Sequence, residues 1–268
     1  MKLFGKMAII SFLLFTIDAN AYTYEKIKIN SNKNLFEQYV TAYQSGVAIC
    51  PNTDDKKIKI ILQEEFSDYL QQAKKGSDKA AYFAGFGYLN GIGVHQDYSK
   101  GLSLLKKAAD DNYVPAKLLY ITMLFFKRNI VKNYLADLPS SEKELIWLQK
   151  EAKIGNLNSK FILAIIYLEM DQISKASYLI KPLAKQGYAE FQYLMGNIYY
   201  GLGDNIDYPK ASYWYQKALN HDPPLIVSGS IAANLLEIYS KPESGNSKLA
   251  EYWQRQLEEI TKATHCMN

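Results

Sequence analysis

Cysteine and histidine are scarce in this sequence, and their scarcity removes several classes of site. The 268 residues include 2 cysteines and 3 histidines. The histidines, His95, His221 and His265, are widely separated, and none has a second histidine at helical spacing. Because a metal site usually needs three or four converging ligands, we predict neither a metal site nor a bound cofactor.

Sequence motifs of enzyme active sites are also missing. No Gly-rich phosphate loop with a lysine, no His-Glu-x-x-His and no nucleophile elbow occurs. Ser140 and Lys143 form a Ser-x-x-Lys, but the Ser-Asp-Asn and Lys-Thr-Gly elements of serine β-lactamases are absent. The same stretch is typical of a capping box, with Ser141 as helix N-cap and Glu144 three residues on. We therefore predict no catalytic residues and a protein that is not an enzyme.

The chain has no strong excess of basic or of acidic residues. The chain has 31 basic and 27 acidic residues, which gives a formal net charge of +4. The basic residues are spread along the chain and mixed with acids, so the sequence has no basic stripe of the kind that binds nucleic acid. We predict no nucleic-acid partner.

A markedly apolar run near the N-terminus, residues 7–17, is well below the roughly 20 residues that span a bilayer. Two lysines precede the run, and Ala19 and Ala21 follow it with the small-x-small pattern that a signal peptidase cuts. We predict that residues 1–21 are a signal peptide, and that the exported chain from Tyr22 onward has no membrane span. An uncleaved membrane anchor is the alternative.

The most regular stretch of the chain has the pattern of two helices joined by a tight turn. A first helix over 79–90 mixes small residues with aromatic ones, which lets a neighbouring helix approach closely. Gly91 and Gly93 tolerate the positive φ that a helix end and a tight turn require. Asp97 suits the N-cap of a second helix over 98–111, whose leucines and alanines recur at spacings of three and four.

This helical hairpin recurs along the chain. A leucine or tryptophan stands at one register position of every second helix: Leu104, Trp147, Leu179, Trp214 and Trp253. The units start at Ala80, Ala116, Ser159, Phe191 and Ile226, at steps of 36, 43, 32 and 35 residues. Periods in this range are typical of stacked helix pairs related to the tetratricopeptide repeat of about 34 residues. One hairpin cannot bury both of its faces, so we predict an all-α, right-handed α-solenoid of stacked antiparallel helix pairs.

The motif of the first unit resembles a known repeat. Its elements are Ala80, Ala84-Gly85, Tyr88, Gly91-x-Gly93-Val94, Asp97-Tyr98, Lys100, Lys107-Ala108-Ala109 and Ala116. They resemble the Sel1-like repeat, a relative of the tetratricopeptide repeat. The resemblance covers 79–262 and implies about five stacked repeats, the first and fourth being the clearest. We predict that residues 22–78 precede the stack with a capping helix pair at 35–48 and 56–75, and that residues 263–268 form a tail.

The resemblance also implies a class of function. Exported bacterial members include immunity proteins that neutralise effectors of type VI secretion systems, and others act in envelope assembly or host interaction. The implied function is a non-enzymatic adaptor that binds another protein, such as a cognate toxin. The periplasm is the expected location, with secretion from the cell as the alternative. A different hypothesis is an enzyme acting on peptidoglycan or a β-lactam, because β-lactam activity is attributed to some cysteine-rich members.

Grooves of stacked helix pairs bind helices, extended segments or loops of other proteins. The second unit carries an insertion at 127–140, and long loops on rigid scaffolds are often functional. The candidate contact residues on the groove and loops are Tyr88, His95, Lys127, Arg128, Tyr134, Tyr199, Tyr200 and Asn205. For Tyr88 and Tyr199, packing between first helices is the alternative.

The two cysteines, Cys50 and Cys266, lie near opposite ends of the exported chain. Many exported members of the family carry a cysteine pair inside each repeat, and this chain lacks that pattern. A disulfide needs Cα atoms within about 7 Å, and five predicted hairpins separate the two residues. An intramolecular bond would require closure of the superhelix or a folded-back tail, and free thiols or an intermolecular bond are the alternatives.

Overall fold

The computed structural model describes residues 34–45, 55–126, 141–202, 206–242 and 246–264. Within these ranges the chain forms twelve helices and no strand. In chain order they are α1 Leu35–Ser45, α2 Asp55–Lys74, α3 Asp78–Asn90, α4 Tyr98–Asp110, α5 Val114–Phe126, α6 Ser141–Lys153, α7 Leu157–Glu169, α8 Ile173–Lys185, α9 Ala189–Asn197, α10 Tyr208–Leu219, α11 Leu225–Ser240 and α12 Ser247–Thr264. A π-helical turn, Ile198–Leu202, follows α9 directly.

The helices stack in one dimension. Each packs against its neighbours along the chain, and α1 also contacts α3, α5 contacts α7, and α9 contacts α11. The pairs α3–α4, α5–α6, α7–α8, α9–α10 and α11–α12 form five units, preceded by the pair α1–α2. This arrangement confirms the predicted all-α solenoid. None of the helices in the described ranges is both long and apolar enough to cross a membrane.

Polar caps fix where several helices begin. The Asp97 side chain accepts from the backbone N–H of Lys100 at 3.0 Å, as the prediction for α4 required. Ser77 and Asn156 cap α3 and α7 in the same way. The capping box proposed for Ser141 and Glu144 stays a prediction, because α6 begins at Ser141 and the residue before it lies outside the described residues.

Small residues allow the first pair to pack closely. A Cβ placed on Gly85 would lie 3.1 Å from the carbonyl oxygen of Gly101, so the backbones of α3 and α4 come near each other at this point. A Cβ on Gly87 would lie 2.9 Å from the Phe36 ring of α1. The close approach predicted for the small residues of the first helix is therefore real, and it involves α1 as well as α4.

The first helices α3 and α7 are enclosed on almost all sides. Every residue from 80 to 89 of α3 is buried, and so are residues 161–166 of α7. The second helices bury one stripe each, including Leu105, Leu148, Ile180 and Tyr215, all fully buried. Most of the solvent-exposed side chains of the described repeats accordingly belong to second helices and turns.

Candidate protein-binding surface

A compact cluster of side chains joins the two helices of the first unit. The backbone N–H of Asp97 donates to the carbonyl of Tyr88 at 2.8 Å, which closes the turn. The Lys100 ammonium lies 3.0 Å from the Asp97 carboxylate and 5.5 Å from the centre of the Tyr88 ring. One lysine thus makes an ion pair and a cation–π contact at the same time.

The fourth unit repeats this cluster with nearly the same distances. The Asp207 N–H donates to the Tyr199 carbonyl at 2.8 Å, and the Asp207 carboxylate accepts from the Lys210 N–H at 3.0 Å. Lys210 lies 2.7 Å from Asp207 and 5.4 Å from the Tyr199 ring centre. We call Tyr88–Asp97–Lys100 and Tyr199–Asp207–Lys210 the turn clusters.

The third unit keeps part of the same arrangement. Gln172 replaces the aspartate, and its N–H donates to the Tyr167 carbonyl at 2.8 Å. Lys175 still lies 5.5 Å from the Tyr167 ring centre. The tyrosine–lysine contact is therefore a recurring structural device of the repeat, and it gives these tyrosines a packing role.

The turn clusters shift the ionisation of their charged groups. Hydrogen bonds from the backbone N–H and the ammonium of Lys100 hold the pKa of Asp97 below its usual value. The Lys210 ammonium and backbone N–H lower the pKa of Asp207 in the same way. In return, the partner carboxylates raise the pKa of Lys100 and Lys210.

Acid is expected to loosen both turn clusters. The stabilisation by ionised Asp97 and Asp207 is complete above the unfolded aspartate pKa of about 3.9 and is lost as the pH falls through the lower folded pKa. Hydrogen exchange of the Lys100 and Lys210 amides, corrected for intrinsic rates, should accelerate several-fold below about pH 4. The double variant Asp97→Asn, Asp207→Asn keeps a capping oxygen but cannot titrate, so it should lack this acceleration. An equal acid response in both proteins would refute the assignment.

The structure places the sequence-predicted contact residues in different environments. Tyr88 is 9% exposed, and its ring packs edge-on against Phe66 at 5.0 Å. Tyr199 is half-buried beneath Lys210, and His95 is exposed in the first turn. The remaining candidates in loops, Lys127, Arg128, Tyr134 and Asn205, lie outside the described residues, as do Cys50, Cys266 and the signal-peptide residues Ala19 and Ala21.

Tyr200 belongs to a polar patch between the fourth and fifth units. Its hydroxyl donates to the carboxylate of Glu237, which also lies 3.4 Å from the Lys241 ammonium. Partial burial, together with the bond to the carboxylate, raises the pKa of Tyr200 well above its ordinary value. Glu237 is exposed, so this patch offers a partner one accessible carboxylate beside a half-buried phenol.

A second surface consists of exposed apolar side chains at one position of successive second helices. Ile146 on α6 is 59% exposed, Tyr178 on α8 is 82% exposed, and Tyr213 on α10 is 55% exposed. In a stack of repeats, equivalent positions lie on the same side. We call these three residues, with the lysines that flank them on each helix, the exposed strip.

The candidate contact residues from the sequence do not include the exposed strip, although the sequence contains a signal for it. Its residues stand immediately before Trp147, Leu179 and Trp214, which occupy one register position of the repeat. In a helix the residue next to a packed position can point to solvent, so apolar residues there are unusual. Ser103 holds the same position in the first unit, and the exposed Tyr252 holds it in the fifth.

Among the described residues, no group of three or more His, Cys, Asp or Glu side chains converges as a metal site would require. The ionisable groups of the two turn clusters are paired with each other at helix starts. Neither cluster places a nucleophile beside a base in a cavity, which is the arrangement that covalent or acid–base catalysis needs. The surfaces described above are suited to contacts with a macromolecule.

The fold and the turn clusters show that the protein is an α-solenoid of repeated helix pairs. The family model of the Sel1 repeat matches residues 78–113 and 189–223, the two units that carry the turn clusters. For these two units the match confirms the resemblance to the Sel1-like repeat noted in the sequence.

Chitin synthase regulatory factor 3 from Schizosaccharomyces pombe is 29% identical to this chain over 177 residues. The match covers 60% of this chain and 18% of the yeast protein, so the chain spans less than a fifth of that relative's length. Because the match covers so little of the yeast protein, we do not assign that protein's regulatory role to this chain.

Two solved structures share the fold over most of their length. A Sel1 repeat protein from Oxalobacter formigenes has a TM-score of 0.54 at 19% identity and 84% coverage of both chains. An immunity protein from Pseudomonas aeruginosa has a TM-score of 0.52 at 19% identity, covering 95% of this chain and 89% of that chain. Likeness at this level of identity shows the solenoid fold alone.

Proposed function

We propose that the chain is a non-enzymatic adaptor that binds another protein. The observation that carries the proposal is the exposed strip, in which Ile146, Tyr178 and Tyr213 leave apolar surface in water at one repeating position. Scattered exposed apolar residues are ordinary, but a register-matched series on a rigid stack provides an ordered surface. Tyrosine is enriched at the centres of protein interfaces, where its ring and hydroxyl both contribute.

Within this class, we propose an exported immunity protein that neutralises an antibacterial effector, delivered by a type VI secretion system, in the periplasm. Two observations support this finer proposal. Residues 1–21 have the pattern of a signal peptide, and an immunity protein shares the fold over nearly the whole chain. The remaining contacts would come from the polar patch at Tyr200, from His95 and Tyr199 beside the turns, and from residues 127–140.

Protection of cells tests the immunity role directly. Cells that express the toxin encoded beside this gene, directed to their periplasm, should survive when they also express the full chain and die without it. A chain lacking residues 1–21 should remain in the cytoplasm and fail to protect, although it folds and binds the toxin after purification. Death of cells that carry the exported, folded chain would exclude immunity against that toxin.

Affinity capture tests the adaptor function separately from immunity. The tagged chain, exported in its native cell, should retain one stoichiometric protein partner identified by mass spectrometry. Deletion of residues 127–140 is the accompanying variant, and it should weaken capture if the insertion contributes contacts. A folded wild-type chain that retains no protein, and instead turns over peptidoglycan or a β-lactam, would overturn the proposal in favour of an enzyme.

A further inference from the structure

Each apolar residue of the exposed strip stands between lysines on the same face of its helix. Residues three, four or seven apart share a helix face. At these spacings from Ile146, Tyr178 and Tyr213 lie Lys143, Lys150, Lys153, Lys175, Lys181, Lys185, Lys210 and Lys217, all exposed. The strip is therefore both apolar and basic along three successive second helices.

Acidic groups are few on these helices. Helices α8 and α10 contain none, and α6 has Glu142 exposed while Glu144 and Glu151 are half-buried. Asp207, the cap of α10, is already paired with Lys210. In the described part of the chain, no ion pair joins Lys181, Lys185 or Lys217 to an acid. The positive charge of the strip is therefore largely uncompensated.

We propose that the exposed strip binds an acidic segment of the partner protein, with Tyr178 and Tyr213 as apolar anchors and the flanking lysines pairing with carboxylates. The proposal rests on the adaptor function and adds the surface and the chemistry of the partner. Complementary charge accelerates encounter and disfavours basic competitors, while aromatic side chains supply most of the contact free energy.

A protein fits this strip better than a membrane does. A helix that lies in a membrane surface inserts a continuous apolar face with Trp, Phe or Leu. The apolar faces of α8 and α10 are already packed into the stack through Ile180, Leu183 and Tyr215. On each of these two helices one exposed tyrosine remains, with lysine ammonium groups on the same face. This surface suits a partner segment in which acidic side chains alternate with apolar ones.

A pair of peptides tests the charge preference. The probe is a fluorescein-labelled peptide in which Glu pairs alternate with Leu and Phe, and its counterpart has Lys in place of Glu. Fluorescence anisotropy with the purified full chain should show binding of the acidic peptide, weakened by added salt, and none of the basic peptide. Vesicles containing phosphatidylglycerol form the membrane arm. Equal binding of both peptides, or binding of vesicles and not of the acidic peptide, would overturn the proposal.

Variants of the strip locate the binding. The double variant Tyr178→Ser, Tyr213→Ser should weaken peptide binding about tenfold. Serine is chosen because Ser103 occupies the same register position in the first unit. Lys181→Glu with Lys217→Glu should weaken it about a hundredfold. The matched control is Lys57→Glu with Ile60→Ser on α2, where Ile60 is 53% exposed, and this pair should leave binding unchanged. Strip variants that are folded by circular dichroism and bind like wild type would refute the assignment.

Capture of the natural partner distinguishes a failure of the strip proposal from a failure of the adaptor function. If the wild-type chain captures a partner and both strip variants capture it equally, the adaptor function stands and the strip proposal is wrong. If the wild-type chain captures no protein partner, the adaptor function itself is wrong. A photo-crosslinker placed at residue 178 or 213 should label an acidic segment of the captured partner, and labelling of a neutral or basic segment would contradict the proposal.

Discussion

Replacement of Gly93 by alanine should destabilise the N-terminal end of the stack by about 3 kcal/mol. Gly93 has a φ of 68°, in the left-handed region, where a Cβ costs roughly 1–2 kcal/mol. The added Cβ would also lie 2.3 Å from the Leu62 carbonyl oxygen and 2.9 Å from the Phe66 Cβ. A backbone oxygen has no rotamer with which to escape, so either α2 or the turn that carries residue 93 must shift. That shift would disturb the edge contact between Phe66 and Tyr88.

Gly91 provides a matched control two residues earlier. Its φ is 71°, but the nearest atom to a Cβ there is the Val94 carbonyl oxygen at 3.7 Å. Gly91→Ala should therefore cost only about 1 kcal/mol, the backbone penalty alone. Urea unfolding gives the free energies of unfolding, and hydrogen exchange of Asp55–Lys74 reports whether α2 loosens. Equal destabilisation by the two substitutions would show that the Gly93–Leu62 contact is unimportant.

The parts of the fold that depend on local chemistry could be predicted from the sequence. The glycines and the cap of the first turn lie where their residue types require, with Gly91 and Gly93 at positive φ and Asp97 capping α4. These features need only short-range sterics and one hydrogen bond. Repetition at a nearly constant period then predicts stacking, because a lone hairpin leaves a face uncovered.

Exposure was harder to predict, because it depends on which helix covers a given face. Tyr88 and Tyr178 are both tyrosines within repeats, yet one is 9% exposed and the other 82%. Tyr88 is covered by Phe66 from α2, a helix of the pair that precedes the repeats. Tyr178 lies on the uncovered side of a second helix. Residue type and spacing do not contain this tertiary information, so the sequence predicts Tyr88, Tyr199 and Tyr200 as contact residues and does not predict Tyr178.

The fourth unit differs from the others in a way that composition alone does not indicate. Leu105, Leu148 and Ile180 occupy the buried position that Tyr215 holds in α10. The Tyr215 hydroxyl donates to the Asn197 side-chain oxygen at 2.7 Å and accepts from the Asn234 amide at 2.9 Å. The hydroxyl thereby links three helices, α9, α10 and α11, and satisfies groups that burial would otherwise penalise.

Replacement of Tyr215 by alanine should therefore destabilise the C-terminal half of the stack by about 4 kcal/mol. The side chain is fully buried, and a Cβ on Gly196 would lie 2.4 Å from its ring, so α9 packs directly on it. Its loss would leave a cavity and would remove the hydrogen bonds that its hydroxyl makes to Asn197 and Asn234. Because repeats are stabilised by their neighbours, exchange should accelerate in Ala189–Asn197 and Leu225–Ser240 more than in Asp78–Asn90.

Two further substitutions separate packing from hydrogen bonding and from function. Tyr215→Phe keeps the ring and removes the hydroxyl, so it should cost about 1–2 kcal/mol through the two lost hydrogen bonds to Asn197 and Asn234. Tyr213→Ala, on the same helix but 55% exposed, should change stability by less than about 0.5 kcal/mol. If the exposed strip binds the partner, Tyr213→Ala should weaken binding at unchanged stability. Tyr215→Phe should lower stability while the remaining folded protein binds normally. If instead Tyr215→Phe weakened binding and Tyr213→Ala did not, partner binding would depend on the interior of the fourth unit and not on the exposed strip.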